Sequence, residues 1–207
     1  MDSEKRHKLR KYIITMRMRS VSRMSLDIEL IKLFKKLKEG IVLDVGSKHS
    51  PYKKYIPSTK YMKLDISEKN NPDICCDLHD IKWEDNYFDT VIATEVLEHL
   101  YNPQKAINEM HRILKEGGTC ILSTRFMYPY HPDPKDYYRF TKDGLEYLFK
   151  EFSKVEVIHH GNKIQTIWEL LSRSKGEPIL NILNPLFSRI NFKKTRCPCG
   201  FVVNAKK

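Results

Sequence analysis

The run Ile41-Val42-Leu43-Asp44-Val45-Gly46 is an apolar stretch that stops on a glycine, and 21 residues after Asp44 a second run, Tyr61-Met62-Lys63-Leu64-Asp65, stops on a carboxylate. A strand closing on glycine, with an acid about 20 residues further on, is the spacing by which doubly wound α/β sheets hold the ribose of an adenine-containing cofactor. The two runs therefore predict strands of a parallel sheet with a nucleotide-type site at their carboxyl ends.

The rest of the chain keeps that alternation of short apolar strands and amphipathic helices. Leu26, Leu30, Ile31, Leu33, Phe34 and Leu37 form a helical stripe expected to end at Gly40. Strands are expected at 41–45, 61–65, 74–76, 88–94, 119–124, 155–159 and 201–204. Ser50 and Pro51 have the residue types of a helix start, as do Asn102 and Pro103, and Thr141. The second of these helices is expected to stop at Gly117-Gly118. Helical segments at 164–171 and 179–190 read as an insertion before the last strand. The domain layout is then a basic N-terminal arm over 1–24 and a single domain over 25–207 with its helical insertion around 162–192.

With 207 residues the chain has material for one sizeable core. It has no apolar run of about 18 residues, and its basic N-terminal stretch lacks the features of a secretory signal, so a cytosolic protein is expected. Peripheral contact with a membrane remains open. Five cysteines, two of them adjacent at Cys75 and Cys76, do not form a disulfide framework. Cys197-Pro198-Cys199 brings only two thiols together and reads as a turn, with no metal site expected. The net charge of +11 divides into +8 over residues 1–38, −4 over 39–152 and +7 over 153–207. Basic ends around a mildly acidic middle suit an anionic lipid surface or nucleic acid, and equally an ordinary solvated surface.

Five motifs recur in a familiar order: Val-Leu-Asp-Val-Gly at 42–46, Leu-Asp-Ile at 64–66, Cys-Asp-Leu-His-Asp at 76–80, Phe-Asp-Thr-Val-Ile-Ala-Thr-Glu-Val-Leu-Glu-His at 88–99, and Arg-Ile-Leu-Lys-Glu-Gly-Gly at 112–118. Over residues 40–125 the chain resembles the class I S-adenosylmethionine-dependent methyltransferases of the type 11 branch. The resemblance implies a Rossmann-like seven-stranded sheet, mostly parallel with the last strand antiparallel, and helices on both faces. It implies S-adenosylmethionine as cofactor. Asp44 and Gly46 would serve the loop at the methionine end, Asp65 the ribose hydroxyls, Ile66 the adenine face, Asp77 and the Leu78 amide the adenine edge, and Glu95 the point where donor meets acceptor. Each also has a plain structural reading: a strand-to-helix turn for Asp44 and Gly46, a cap for Asp65, a loop acid for Asp77. The branch usually carries Gly-x-Gly in the first loop; here Lys48 takes the second position, where a side chain crowds the cofactor or strains the backbone.

A loop rich in Tyr, Pro and His follows the fifth strand and, at about 16 residues, is long for such a connection. It resembles the His-x-x-Pro-x-Asp-Tyr-x-Arg-Phe-Thr loop of methyltransferases associated with polysaccharide and glycolipid biosynthesis. His131 becomes the candidate base with Asp136 orienting it, and Tyr138 and Arg139 the candidate acceptor contacts; Asp136 and Arg139 pairing to shape the loop is the structural alternative. His99, four residues past Glu95, is the rival base. The expected activity is methyl transfer to an oxygen or nitrogen of a sugar, glycolipid or other small-molecule acceptor. An RNA methyltransferase is the alternative enzyme, though Thr94-Glu95-Val96-Leu97 lacks the Asn/Asp-Pro-Pro-Tyr-type signature for a base nitrogen. A non-catalytic scaffold is the alternative outside enzymes, and the oligomeric state is open.

Overall fold

The computed structural model describes residues 20–132, 135–172, 183–190 and 195–207. Among these lie seven strands: β1 (Ile41–Val45), β2 (Lys60–Asp65), β3 (Ile74–Cys75), β4 (Phe88–Thr94), β5 (Leu114–Arg125), β6 (Lys154–His160) and β7 (Gly200–Lys206). They form one sheet in the order β3-β2-β1-β4-β5-β7-β6. The last strand, β7, runs antiparallel to both β5 and β6, and the remaining pairs are parallel. Because the order doubles back between β1 and β4, the crevice outside their carboxyl ends is where such a sheet binds ligands.

Period-two alternation with apolar residues on both sides buries both faces of the sheet. Val42, Ile92, Ile121 and Val202 meet Leu26, Leu30, Leu33 and Phe34 of helix α1 (Val21–Phe34). Leu43, Val91, Cys120, Leu122 and Val203 point the other way, toward α2 (Pro103–Ile113) and α3 (Lys142–Leu148). Phe34, Phe88 and Phe149 are wholly buried, each contributing about 2 kcal/mol. The expected caps hold at Asn102, which accepts from the Lys105 amide, and at Thr141, which accepts from the Gly144 amide.

Three local expectations are corrected. Helix α1 ends at Phe34 rather than at Gly40. A Cβ at Gly40 would lie 2.7 Å from that of Asp89, whose carboxylate accepts from the Ile41 amide, so the glycine serves close approach rather than a cap. Gly117 and Gly118 do not stop α2, which passes directly into β5 at Leu114. They sit in a bulge where the register jumps from Phe88 opposite Leu114 to Thr90 opposite Thr119. Ser50 and Pro51 precede only a 3₁₀ turn at Lys53–Tyr55, and Ser50 has φ of +43°.

The insertion packs inward. Helix α4 (Lys163–Ser172) places Trp168 flat on Phe187 of α5 (Asn184–Ser188), with centroids 3.8 Å apart, and the indole N–H donates to buried Asn184. Buried Glu169 of α4 accepts from the Ser22 amide at the start of α1. The basic run at residues 5–11 and the part of the apolar stripe at 179–182 lie outside the described residues.

Replacing Glu169 with alanine strands the Ser22 N–H in the interior. The expected loss is about 1–3 kcal/mol of unfolding free energy, read from urea melts; a change within error would mean that this contact does not anchor α1.

Candidate active site

The glycine that ends β1 and the acid that ends β2 open onto one cavity of about 580 Å³ at the carboxyl edge of the sheet. Gly46, Asp65, Ile66, Asp77, Leu78, Glu95, His99 and His131 all line it, so the fold gathers into one wall residues spread over 86 positions. Asp44 lies beneath the loop instead. Its carboxylate accepts from the Tyr61 hydroxyl at 2.5 Å, and burial pushes its pKa up to about 6 against the hydrogen bonds of Tyr61, Ser50 and Ser47.

Backbone geometry shapes the first loop. Gly46 has φ of +63°, and a Cβ there would come within 2.7 Å of Val96. Lys48 has φ of +37°, so the residue standing where the resemblance expects glycine adopts a glycine-like conformation. Asp65 accepts from the Ser67 amide through Oδ1, and Ile66, two-thirds exposed, lies open at the wall. Asp77 accepts through Oδ1 from both the amide and the ring of His79. The Asn102 amide donates to Nε2 of that ring, so its Nδ1 carries the proton. The His79 ring rests on Tyr101, with centroids 4.1 Å apart.

At the far end, Glu95 has φ of +58° and pairs with Arg125 at the tip of β5. Ser123 donates to the Glu95 carboxylate, while Arg125 donates to Ser22 and lies over the Tyr128 ring. Glu98 is fully buried; Thr124 donates to its Oε2. Burial, with the neighbouring Glu95 charge, pushes its pKa up to about 8.

The described residues of the long loop, 126–132 and 135–141, contain no helix or strand. Buried Asp136 takes a two-pronged bond from Arg139 at 2.5 and 2.6 Å, and this guanidinium holds its carboxyl well below the usual range. Asp136 also accepts from the His131 amide and stands 3.2 Å from the His131 Nδ1. Burial holds that imidazole below its ordinary pKa, against the pull of Asp136. Arg139 further donates to the carbonyls of Tyr128, Pro129 and Tyr138. Asp136, Tyr138 and Arg139 stand outside the cavity wall, and Tyr138 donates to the Tyr101 carbonyl. Arg23, Glu98, Tyr101 and Arg125 were missed in the sequence; the signal available for Arg125 was a lone cation at the carboxyl end of an apolar strand.

Residues 43–122 match the family described as "Methyltransferase domain". An uncharacterized protein of Methanocaldococcus jannaschii is 34% identical over 100 residues, covering 45% of this chain and 44% of that protein. A ubiquinone/menaquinone biosynthesis C-methyltransferase of Burkholderia cenocepacia is 31% identical over 83 residues, 40% of this chain and 34% of the relative. The chain thus matches less than half the length of either. The crystal structure of an S-adenosylmethionine-dependent methyltransferase from Archaeoglobus fulgidus superposes with a TM-score of 0.59 at 17% identity, covering 89% of this chain and 92% of that one. The chain has the methyltransferase fold. In that fold the cavity, at the carboxyl ends of β1 to β4, occupies the ligand-binding crevice of the sheet.

Two outcomes are expected. Asp44 has a folded pKa of about 6 above its unfolded 3.8, so its contribution favours folding below pH 4 and is lost as pH rises through 6. The stability of wild type relative to Asp44→Asn should therefore fall, by on the order of 3 kcal/mol, between pH 4 and 7 in urea melts; a pH-independent difference would refute the shift. Lys48→Gly should gain about 1 kcal/mol, the relieved left-handed strain less the added freedom of the unfolded chain. A lower urea midpoint for the variant would show that Lys48 contributes more through its contacts than it costs.

Proposed function

We propose that this chain is a methyltransferase that moves the methyl group of S-adenosylmethionine to an oxygen or nitrogen of a sugar, glycolipid or other small-molecule acceptor. The observation that carries the reading is the sequence of groups that the strand order lays along one cavity wall: Asp77 with Leu78 after β3, Asp65 with Ile66 after β2, Gly46 after β1, and Glu95 after β4, with His99 and His131 on the segments that follow β4 and β5. That order suits a ligand with a nucleoside at one end and a reactive centre at the other.

Asp65 has one oxygen taken by the Ser67 amide and would accept from the ribose hydroxyls through the carboxylate's remaining capacity. Ile66 would lie against the adenine ring, with Asp77 accepting from its amino group and the Leu78 amide donating to a ring nitrogen. Gly46 would let the backbone approach the methionine portion, whose carboxylate would meet Arg23 or Lys48 on the same wall. Asp44 would act from below, holding the loop. The transfer itself is a displacement: the acceptor lone pair bonds the methyl carbon, the carbon–sulfur pair returns to sulfur, and the acceptor proton leaves to water or a side chain. Such a step depends mostly on alignment.

Support for a sugar-like or glycolipid acceptor comes from the exposed ring of Tyr101, an apolar face with a polar tip, on the same cavity wall as the two histidines. Arg139 and Tyr138 would then act on the acceptor indirectly, by fixing the loop. The basic ends would favour an anionic, lipid-linked acceptor over a neutral one.

Isothermal titration with S-adenosylhomocysteine tests the reading. Wild type should bind in the micromolar range, and Asp65→Ala should lose at least tenfold. A folded wild type that binds nothing would leave the scaffold reading in its place.

A further inference from the structure

Glu98 and His99 come from the 3₁₀ turn Leu97–His99 after β4, and His131 from the long loop; one donor atom of each lies within 4.8 Å of the others. The two segments are braced against each other, since the amides of Tyr137 and Tyr138 both donate to the Glu98 carbonyl. The rings of His99 and His131 meet edge to face, with centroids 4.9 Å apart.

The His99 imidazole is held from behind. Its Nδ1 lies 2.5 Å from the Lys135 carbonyl, an acceptor only, so Nδ1 carries the proton and Nε2 keeps its lone pair. The Nδ1 of His131 lies 3.2 Å from the Asp136 carboxylate, within ion-pair reach but without a hydrogen bond. A backbone carbonyl behind an imidazole is an outer support that metal-binding histidines use. The third donor supplies an independent sign: Glu98 is fully buried, Thr124 takes its Oε2, and its Oε1 has no hydrogen-bond partner among the described residues. Such an oxygen costs about 1–3 kcal/mol unless something bonds it. The surrounding charges agree. Arg125 is matched by Glu95 and Arg139 by Asp136, so neither guanidinium is left to balance a Glu98 carboxylate, and a bound cation would balance it.

We propose that Glu98, His99 and His131 bind one divalent first-row transition-metal ion at the acceptor end of the cavity. Two imidazole nitrogens and one carboxylate oxygen are a donor set for zinc, manganese or iron(II), and they leave coordination positions open. His99 and His131 line the cavity, so those positions face it. This deepens the methyltransferase reading and, in its second half, rests on it: the acceptor is a hydroxyl compound whose oxygen joins the metal. Coordination acidifies the hydroxyl, the proton leaves to water, and the oxygen attacks the methyl carbon as the carbon–sulfur pair returns to sulfur. Coordination takes the place of proton acceptance by His131.

The test titrates metal-stripped full-length protein with Zn(II) against a chromophoric chelator, and with Co(II) followed by its visible absorption. One equivalent should bind; His99→Ala and Glu98→Gln should each weaken it at least tenfold, and His111→Ala, on α2 against Phe152 and outside the cavity wall, should leave it unchanged. Circular dichroism and S-adenosylhomocysteine titration on every variant separate the two claims. Metal binding with these losses in a protein that fails to bind S-adenosylhomocysteine would uphold the ion site and reject the methyltransferase reading. A folded wild type that binds the nucleoside but no metal, or equal metal affinity in His99→Ala and wild type, would overturn the site.

Discussion

The pairing of Glu95 with Arg125 is the contact on which the rest of the cavity depends. Glu95 follows β4 and Arg125 ends β5, so the pair closes the carboxyl edge beside the switch point of the sheet. Arg125 also donates to Ser22 at the start of α1, and the Ser22 amide donates to Glu169 of α4. One guanidinium thereby ties two strands, the first helix and the insertion to the same corner. Both members are largely buried, so losing either would leave a lone charge in a dry site, which costs about 3–5 kcal/mol. Their function here is therefore positional: the pair keeps the turn bearing Glu98 and His99 at a fixed height above the sheet.

Strain is distributed in the same place. Asn71 and Asn86, two of the five non-glycine residues with positive φ among the described residues, are of the type that tolerates it in turns. The other three, Lys48, Ser50 and Glu95, surround the mouth of the cavity or the loop over Asp44. Each such residue costs about 1–3 kcal/mol and persists only where neighbours over-determine it. Glu95 is held by its amide to Ser123, by Ser123 in return and by Arg125; Ser50 by its amide and hydroxyl to Ser47. A chain free to relax would not keep three strained residues around one pocket.

The strands and the acids of the cavity wall were legible because each had two signals at once: an apolar run of strand length and a terminal residue whose chemistry made sense at a sheet edge. The glycines were less legible. Gly40 and Gly117 read as helix stops because local sequence offers glycine only a local purpose, whereas here one admits Asp89 and the other turns a bulge in β5. Arg125, marked only as a lone cation at a strand end, and Glu98 were hard to read for the opposite reason. Their partners lie 30 and 26 residues away, at Glu95 and Thr124, and nothing in the neighbouring sequence marks either as buried.

The described residues of the loop, 126–132 and 135–141, show how a segment without helix or strand can still present a side chain in a fixed direction. They are braced by one half-buried ion pair rather than by a ladder. Arg139 spends its donors on Asp136 and on the carbonyls of Tyr128, Pro129 and Tyr138, so both ends of the loop are bonded to the same planar group. Lysine, with a point charge and no fork, could not satisfy that set. Asp136, clamped by Arg139, then receives the His131 amide and faces its ring, so the orientation of His131 is set by a residue that never reaches the cavity. Residues that share the most suggestive motif of the sequence thus divide their work: His131 faces the site, and Asp136 and Arg139 make that facing possible.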